Sequence, residues 1–304
     1  MATSYSPLRY PGGKQILARV LGHLIRLNGR EGGIYAEPYA GGAGAALSLL
    51  FGEHVGRLML NDADPSIYAF WTAILKKTGP FLKLLRDTPL SVREWERQRA
   101  IYGQPRSHSP LQLGFATFYL NRCNRSGIIG NAGVIGGRKQ KGNWKIDARF
   151  NRQDLIRRIE RIALYRDRIA LFNLDAIDFL RQHVAKPTVA AKAFVYLDPP
   201  YFIKGNQLYL NFYKPEDHAL LAKFIKRQKR FLWVMSYDNV RQIQVLYSDL
   251  RQIAFNLGYS AREWRMGKEI MIVKADLIFP DRWRVRIPSR YISAADRVSI
   301  PIAG

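Results

Sequence analysis

The chain has 304 residues, of which 47% are hydrophobic and 12% aromatic, which is the composition of a globular protein with a sizeable core. Lys and Arg number 48 against 24 Asp and Glu, giving a formal net charge of +24 and an isoelectric point near 10.3, so the surface fits a polyanion, most simply nucleic acid. No apolar run reaches the ~18 residues of a membrane span, the start M-A-T-S-Y-S-P does not read as a signal peptide, and the single Cys123 excludes an internal disulfide and fits a reducing, cytoplasmic compartment.

Residues 6–13 read S-P-L-R-Y-P-G-G and lead into Lys14 and an amphipathic run over 16–27. Proline and paired glycines make a tight loop, and the helix after it offers free N–H groups. Such a loop can hold an anion, with Lys14 as a mobile positive charge and Tyr10 packed on a ligand; a plain connecting loop is the competing reading. Residues 34–36 (I-Y-A) form a short strand that Glu37, Pro38 and Tyr39 close. A glycine turn, A-G-G-A-G at 40–44, follows, and 45–50 opens a helix. Strand, glycine turn and helix make a nucleotide-type cradle, because glycines let backbone amides approach a ligand closely. A second strand over 57–60 ends in Asn61 and Asp62, and Asp62 lies 18 residues past Gly44. An acid at that tip binds a ribose diol in such folds; the competing reading is a helix cap at Asp62 or Asp64.

Residues 64–119 carry a helical pattern with a break at 105–110. Between 121 and 168 there are 13 Lys or Arg and four Asp or Glu, laced with glycines at 127, 130, 133, 136, 137 and 142. A basic, glycine-rich hairpin beside an arginine-rich helix can track phosphates while a few side chains reach bases. A solvated charged surface is the alternative. A further strand over 169–174 ends at Asp175, with a helix over 176–183. The five histidines are scattered, and with one cysteine they give no metal-ligand spacing, so no metal is expected.

Residues 194–201 read F-V-Y-L-D-P-P-Y. The apolar run does not alternate, which marks a buried parallel strand, and the two prolines stop it at Asp198. An acid and an aromatic ring then stand at the carboxyl end of a strand, where open α/β sheets bind ligands. That placement suits methylation of a planar exocyclic amine. Asp198 and the carbonyl of Pro199 can accept from the amine's two hydrogens and draw it out of conjugation, while Tyr201 stacks on the base. A strand ending in a capped Pro-Pro turn is the bland alternative. Downstream, 217–229 and 243–250 read as helices, and 231–236, 264–266, 269–273 and 276–279 as strands, with a basic tail after Pro280.

The order P-L-R-Y-P-G-G-K, E-P-Y-A-G-G-A-G, a long insert and then D-P-P-Y resembles the DNA adenine methyltransferases of the Dam type, the α-class (D12) of amino-methyltransferases. The resemblance implies S-adenosylmethionine as methyl donor. It assigns Tyr10, Lys14, Glu37, Tyr39, Gly41, Asp62 and Asp175 to the cofactor, and Asp198, Pro199 and Tyr201 to catalysis. Lys14 reaches DNA in some relatives. Asn121-Arg122 and Arg125-Ser126-Gly127 resemble the start of the recognition hairpin, so Arg122, Asn124, Arg125, Arg138, Lys139 and Lys141 are its candidate DNA contacts. Two departures stand out. The glycine loop usually reads F-x-G-x-G, whereas here Ala43 holds the second glycine position and Gly44 comes one later. The hairpin C-N-R-S-G-I-I-G lacks the aromatic that relatives reading GATC carry near Arg125.

The expected architecture is α/β: a Rossmann-like S-adenosylmethionine-dependent methyltransferase sheet from residues 1–63 and 169–280, an inserted helical and β-hairpin DNA-recognition domain at 64–168, and a basic tail at 281–304. Double-stranded DNA is the expected partner, with extrusion of the target adenine. A cognate restriction endonuclease is a candidate partner, and a monomer or weak dimer is the expected state. Cytosine-N4 or RNA amine methylation, and an inactive DNA-binding module of the same fold, are the alternatives.

Overall fold

Short apolar runs ending in polar punctuation become the strands of one sheet. In a computed structural model, which describes residues 4–9, 14–203, 213–260 and 264–280, these are β1 (Ile34–Glu37), β2 (Arg57–Asn61), β3 (Ile169–Phe172), β4 (Ala193–Leu197), β5 (Leu232–Asp238), β6 (Arg251–Ser260) and β7 (Trp264–Val273). Their order is β3-β2-β1-β4-β5-β7-β6. The first five run parallel, and β7 is antiparallel to both β5 and β6. The winding reverses between β1 and β4, and that switch point is where a crevice opens beyond the carboxyl ends of the strands.

The lack of alternation in β4 has a simple cause. Phe194 and Tyr196 pack into one apolar layer and Val195 and Leu197 into the other, so all of them are buried. On the first face lie α1 (Ala18–Leu27), preceded by a 3-10 turn at Lys14–Leu17, and α2 (Gly44–Phe51). The helices Ala176–Phe179, Pro215–Lys226 and Arg241–Leu246 cover the other.

Five helices stand between β2 and β3: α3 (Pro65–Lys76), α4 (Thr78–Asp87), α5 (Val92–Gly103), α6 (Pro110–Cys123) and α7 (Arg152–Leu164). Their starts follow local rules. Asp64 caps α3 with Pro65 in the first turn, and Ser109 with Gln112 forms a capping box on α6. Phe70 stacks on Phe118 with centroids 6.0 Å apart, and Phe81 meets both edge-on. The apolar core is continuous from Leu58 of the sheet through Phe70 and Phe118 to Ile159. Helices α3 and α6 touch closely at Gly114, where a Cβ would lie 2.5 Å from the Ala69 carbonyl oxygen.

Three details differ from the sequence reading. β6 was not foreseen; it is an edge strand whose one neighbour in the sheet is β7, through a ten-residue ladder. Residues 276–279 form no strand: a turn from Leu277 N–H to Lys274 C=O (3.1 Å) drops Leu277 and Phe279 into the core. The basic segment after α6 is a run of turns closed by one antiparallel bridge, Asn124 to Val134, and not a regular ribbon. Tyr10 and the tail at 281–304 lie outside the described residues. Among the described residues no helix is long and apolar enough to cross a membrane.

Candidate active site

The glycine turn joins β1 to α2. Gly41 (φ +46°) and Ala43 (φ +47°) both take left-handed backbone. For Ala43 this costs about 1–2 kcal/mol, the penalty of placing a Cβ in that region. The departure from the usual glycine pattern therefore keeps the turn and pays in strain. Asp62, at the tip of β2, is bound into it: one oxygen accepts from Gly41 N–H at 2.8 Å, the other from Asp64 N–H at 3.0 Å. Trp71 Nε1 donates to the Gly41 carbonyl at 2.9 Å from below. Asn61 ties three strand ends together, donating to Pro38 O and Leu174 O and accepting from Leu174 N–H.

Burial pushes the Asp62 carboxyl up to about 7, with Asp64 adding to the effect. Glu37 ends β1 facing the same space. Its Oε1 accepts from Tyr35 OH at 2.9 Å, and burial pushes its carboxyl up to about 8. Among the described residues no cation pairs with either acid. Tyr39 meets Tyr213 hydroxyl to hydroxyl at 2.7 Å. Asp175 is exposed and caps the helix Ala176–Phe179 through Ile177 N–H at 2.8 Å.

Asp198 stands directly after β4. Its Oδ1 accepts from Ser236 Oγ at 2.8 Å and lies 3.4 Å from Lys14 Nζ. Both contacts fall on Oδ1, and Asp198 lines the cleft. Burial raises its carboxyl above the usual range, and Lys14 opposes that shift. Ser236 is itself bonded to Tyr196 OH at 2.7 Å. Pro199 is buried, and Asp238 at the end of β5 clamps the chain just beyond the motif, accepting from Phe202 and Ile203 N–H at 2.9 and 3.0 Å.

A residue absent from the sequence reading completes the site. Glu269 of β7, 1% exposed, accepts from Lys14 Nζ with both oxygens at 2.9 and 3.0 Å. The Tyr201 hydroxyl also donates to Glu269 and accepts from Lys14. The one signal in the sequence was an acid inside the otherwise apolar run E-I-M-I-V. Ser236 and Asp238 carried no spacing that linked them to Asp198.

The expected DNA contacts divide. Arg125, Arg138, Lys139 and Lys141 are exposed on the turn-rich segment, with Arg138 only 3.8 Å from Glu96. Arg122 is instead buried. Asn124 is also buried and its amide is spent inside the loop: Oδ1 accepts from Trp95 Nε1, and Nδ2 donates to Ile128 and Ile129 carbonyls. These bonds hold the loop against α5, and the amide expected to reach DNA is engaged within the protein. Asn121 likewise clamps Arg9 at both backbone N–H and C=O and bonds the Gly127 carbonyl.

One cleft of about 980 Å³ joins Lys14, Glu37, Tyr39, the glycine turn, Asp62 and Asp175 with Asp198 and Tyr201. Its lining brings Glu37, Asp62 and the backbone of the glycine turn into one space with the Asp198 carboxylate and the Tyr201 ring. A search of curated proteins finds no match. The family model for D12 class N6 adenine-specific DNA methyltransferases matches residues 10–260, most of the chain, which therefore belongs to that family as a transferase that methylates adenine N6 in DNA.

Proposed function

We propose that this chain takes S-adenosylmethionine against the glycine turn and presents to it, at Asp198, an adenine extruded from duplex DNA. The observation that carries this reading is the single cleft joining the glycine turn with Asp198 and Tyr201. The donor set fits the cofactor: Glu37 suits an ammonium group, and Asp62, fixed by two backbone N–H groups, suits a diol. Lys14, Tyr39, Gly41 and Asp175 complete the cofactor wall, with Tyr10 assigned by resemblance. When bound, the cofactor supplies an electrophilic methyl on a sulfonium and departs as a neutral thioether.

The rest is work for the protein. Adenine's amine is a weak nucleophile because its lone pair is delocalised into the ring. Asp198 Oδ2 and the Pro199 carbonyl accept from its two hydrogens and hold the lone pair toward the donor; positioning and electrostatics supply most of the acceleration. Tyr201, its hydroxyl tied to Glu269, presents a fixed face to the base. Extrusion is required because the amine is stacked inside the duplex. Residues 64–168 serve as the recognition part and residues 1–63 with 169–280 as the catalytic part. Arg122, Arg125, Arg138, Lys139 and Lys141 supply positive charge, so affinity falls steeply with salt. A cytoplasmic monomer or weak dimer, acting beside a cognate restriction endonuclease, completes the reading. Family membership does not favour cytosine, RNA or inactive-module alternatives.

The test is Asp198→Ala. Transfer of tritiated methyl from S-adenosylmethionine to DNA should vanish while calorimetric cofactor affinity is kept; undiminished turnover rejects the assignment. Long-read sequencing of DNA from expressing cells gives the site methylated.

A further inference from the structure

The chemistry at Asp198 leaves one wall of the cleft unused. Arg122, in the last turn of α6, is 8% exposed. Its NH1 donates to the Arg149 carbonyl at 3.4 Å, and its Nε has no hydrogen-bond partner. Arg9, Arg149 and Arg158 line the same cleft beside it. Arg158 donates to the Ser6 carbonyl at 2.9 Å and pairs with Asp154 at 2.6 Å, yet its Nε is also unpartnered and buried. Among the described residues the Arg9 guanidinium donates to a carbonyl, that of Asn124, at 3.3 Å and forms no ion pair. Among the described residues, the ion pair of Arg158 with Asp154, which Arg157 also approaches at 3.8 Å, is the one these four guanidiniums make. Burial, then the like charges of Arg158 and Arg9, bring the Arg122 guanidinium down to about 9.

A buried charge without a counter-ion is costly, and Arg122, the buried one of the four, has no ion pair among the described residues, so an anion bound there would offset that cost. Guanidinium forks match the several oxygens of a phosphate. Arg122 belongs to α6 and Arg158 to α7, Arg149 stands just before α7 and Arg9 in the amino-terminal segment; residues 126–131 line the same cleft, and Ser126 there sits in left-handed backbone (φ +57°). Asn121 fixes Arg9 to that loop through Gly127, where a Cβ would come within 2.8 Å of the Arg9 carbonyl.

We infer that Arg9, Arg122, Arg149 and Arg158 form a pocket for one phosphodiester of the target strand, next to the extruded nucleotide. The inference rests on the DNA-methylating reading above and adds a built site to it: the exposed basic residues of the turn-rich segment attract DNA, and the four cleft-lining arginines, of which Arg122 is buried and Arg149 exposed, hold one linkage as the nucleotide swings in. Neutralising that linkage should therefore matter only while the arginines are present.

The experiment uses the full chain, S-adenosylhomocysteine and duplexes containing the methylated site, each with one uncharged methylphosphonate linkage placed in turn around the target adenine. One linkage should weaken binding to the wild type by tenfold or more. With Arg149→Gln or Arg122→Gln the same linkage should add less than threefold, and the slope of log affinity against log salt should fall by about one. Equal loss in wild type and variants at every linkage overturns the inference. So does a variant that loses S-adenosylhomocysteine affinity without DNA present, since the pocket would then hold the cofactor's carboxylate. If Arg122→Gln fails to fold, the exposed Arg149 decides the matter. Methyl transfer to the unmodified duplex separates the two levels: none by the wild type sinks the underlying reading, whereas transfer without a coupled linkage sinks only this one.

Discussion

Glu269→Gln tests how the catalytic motif is held. In the native site both carboxylate oxygens of Glu269 bind Lys14 Nζ, at 2.9 and 3.0 Å, and Lys14 stands 3.4 Å from Asp198 Oδ1. All of this is shielded, with Lys14 8% and Glu269 1% exposed. Glutamine keeps the volume and one acceptor but removes the charge. Asp198 then becomes the nearest carboxylate to the ammonium, and Lys14 closes on it. To accept the target amine, Asp198 must give up a charge-assisted hydrogen bond of about 1.5–3 kcal/mol. At about 1.4 kcal/mol per decade, kcat should fall roughly 10- to 150-fold. Single-turnover methyl transfer at saturating DNA and donor reads this, with cofactor Kd and the denaturation midpoint as controls. Lys14→Met in the same background should cost less than the product of the separate losses, because the misplaced charge is gone. Unchanged kcat, or strictly additive losses, refutes the account.

Two other outcomes follow from buried groups. Glu37 has its folded carboxyl raised from 4.5 to about 8, so the stability it contributes is complete below its unfolded value and is lost as pH rises toward 8. The cofactor-free protein should therefore weaken between about pH 5 and 8, by up to about 1.4 kcal/mol per unit for this group; urea titrations should show Glu37→Gln with a flatter slope, and parallel slopes reject the burial argument. Gly114→Ala should destabilise the fold by about 1–3 kcal/mol or more, since the new Cβ meets the backbone of Ala69 and Phe70 at 2.5–2.9 Å; an unchanged thermal midpoint would mean α3 and α6 can part without cost.

The elements that carry motifs were legible because their signals are local. β1, β2 and β4 each end in polar or proline punctuation that stops a ladder, and Asp64 and Ser109 cap helices through bonds to their own next turn. Chemistry at a strand tip follows from such spacing, so Asp62 and Asp198 could be named from their strings alone. Pairings between distant segments leave no spacing to find. Glu269 lies 255 residues from Lys14 and 68 from Tyr201, and only the insertion of β7 beside β5 brings the three together. β6 exists because β7 supplies its ladder, and not through its own composition. Asn124 reads as a polar loop residue but is consumed by Trp95 and two carbonyls once α5 and α6 pack. Arg9, Arg122, Arg149 and Arg158 look like scattered surface charge; tertiary packing gathers them along one cleft and takes Arg122 out of water, which weakens the screening of its charge.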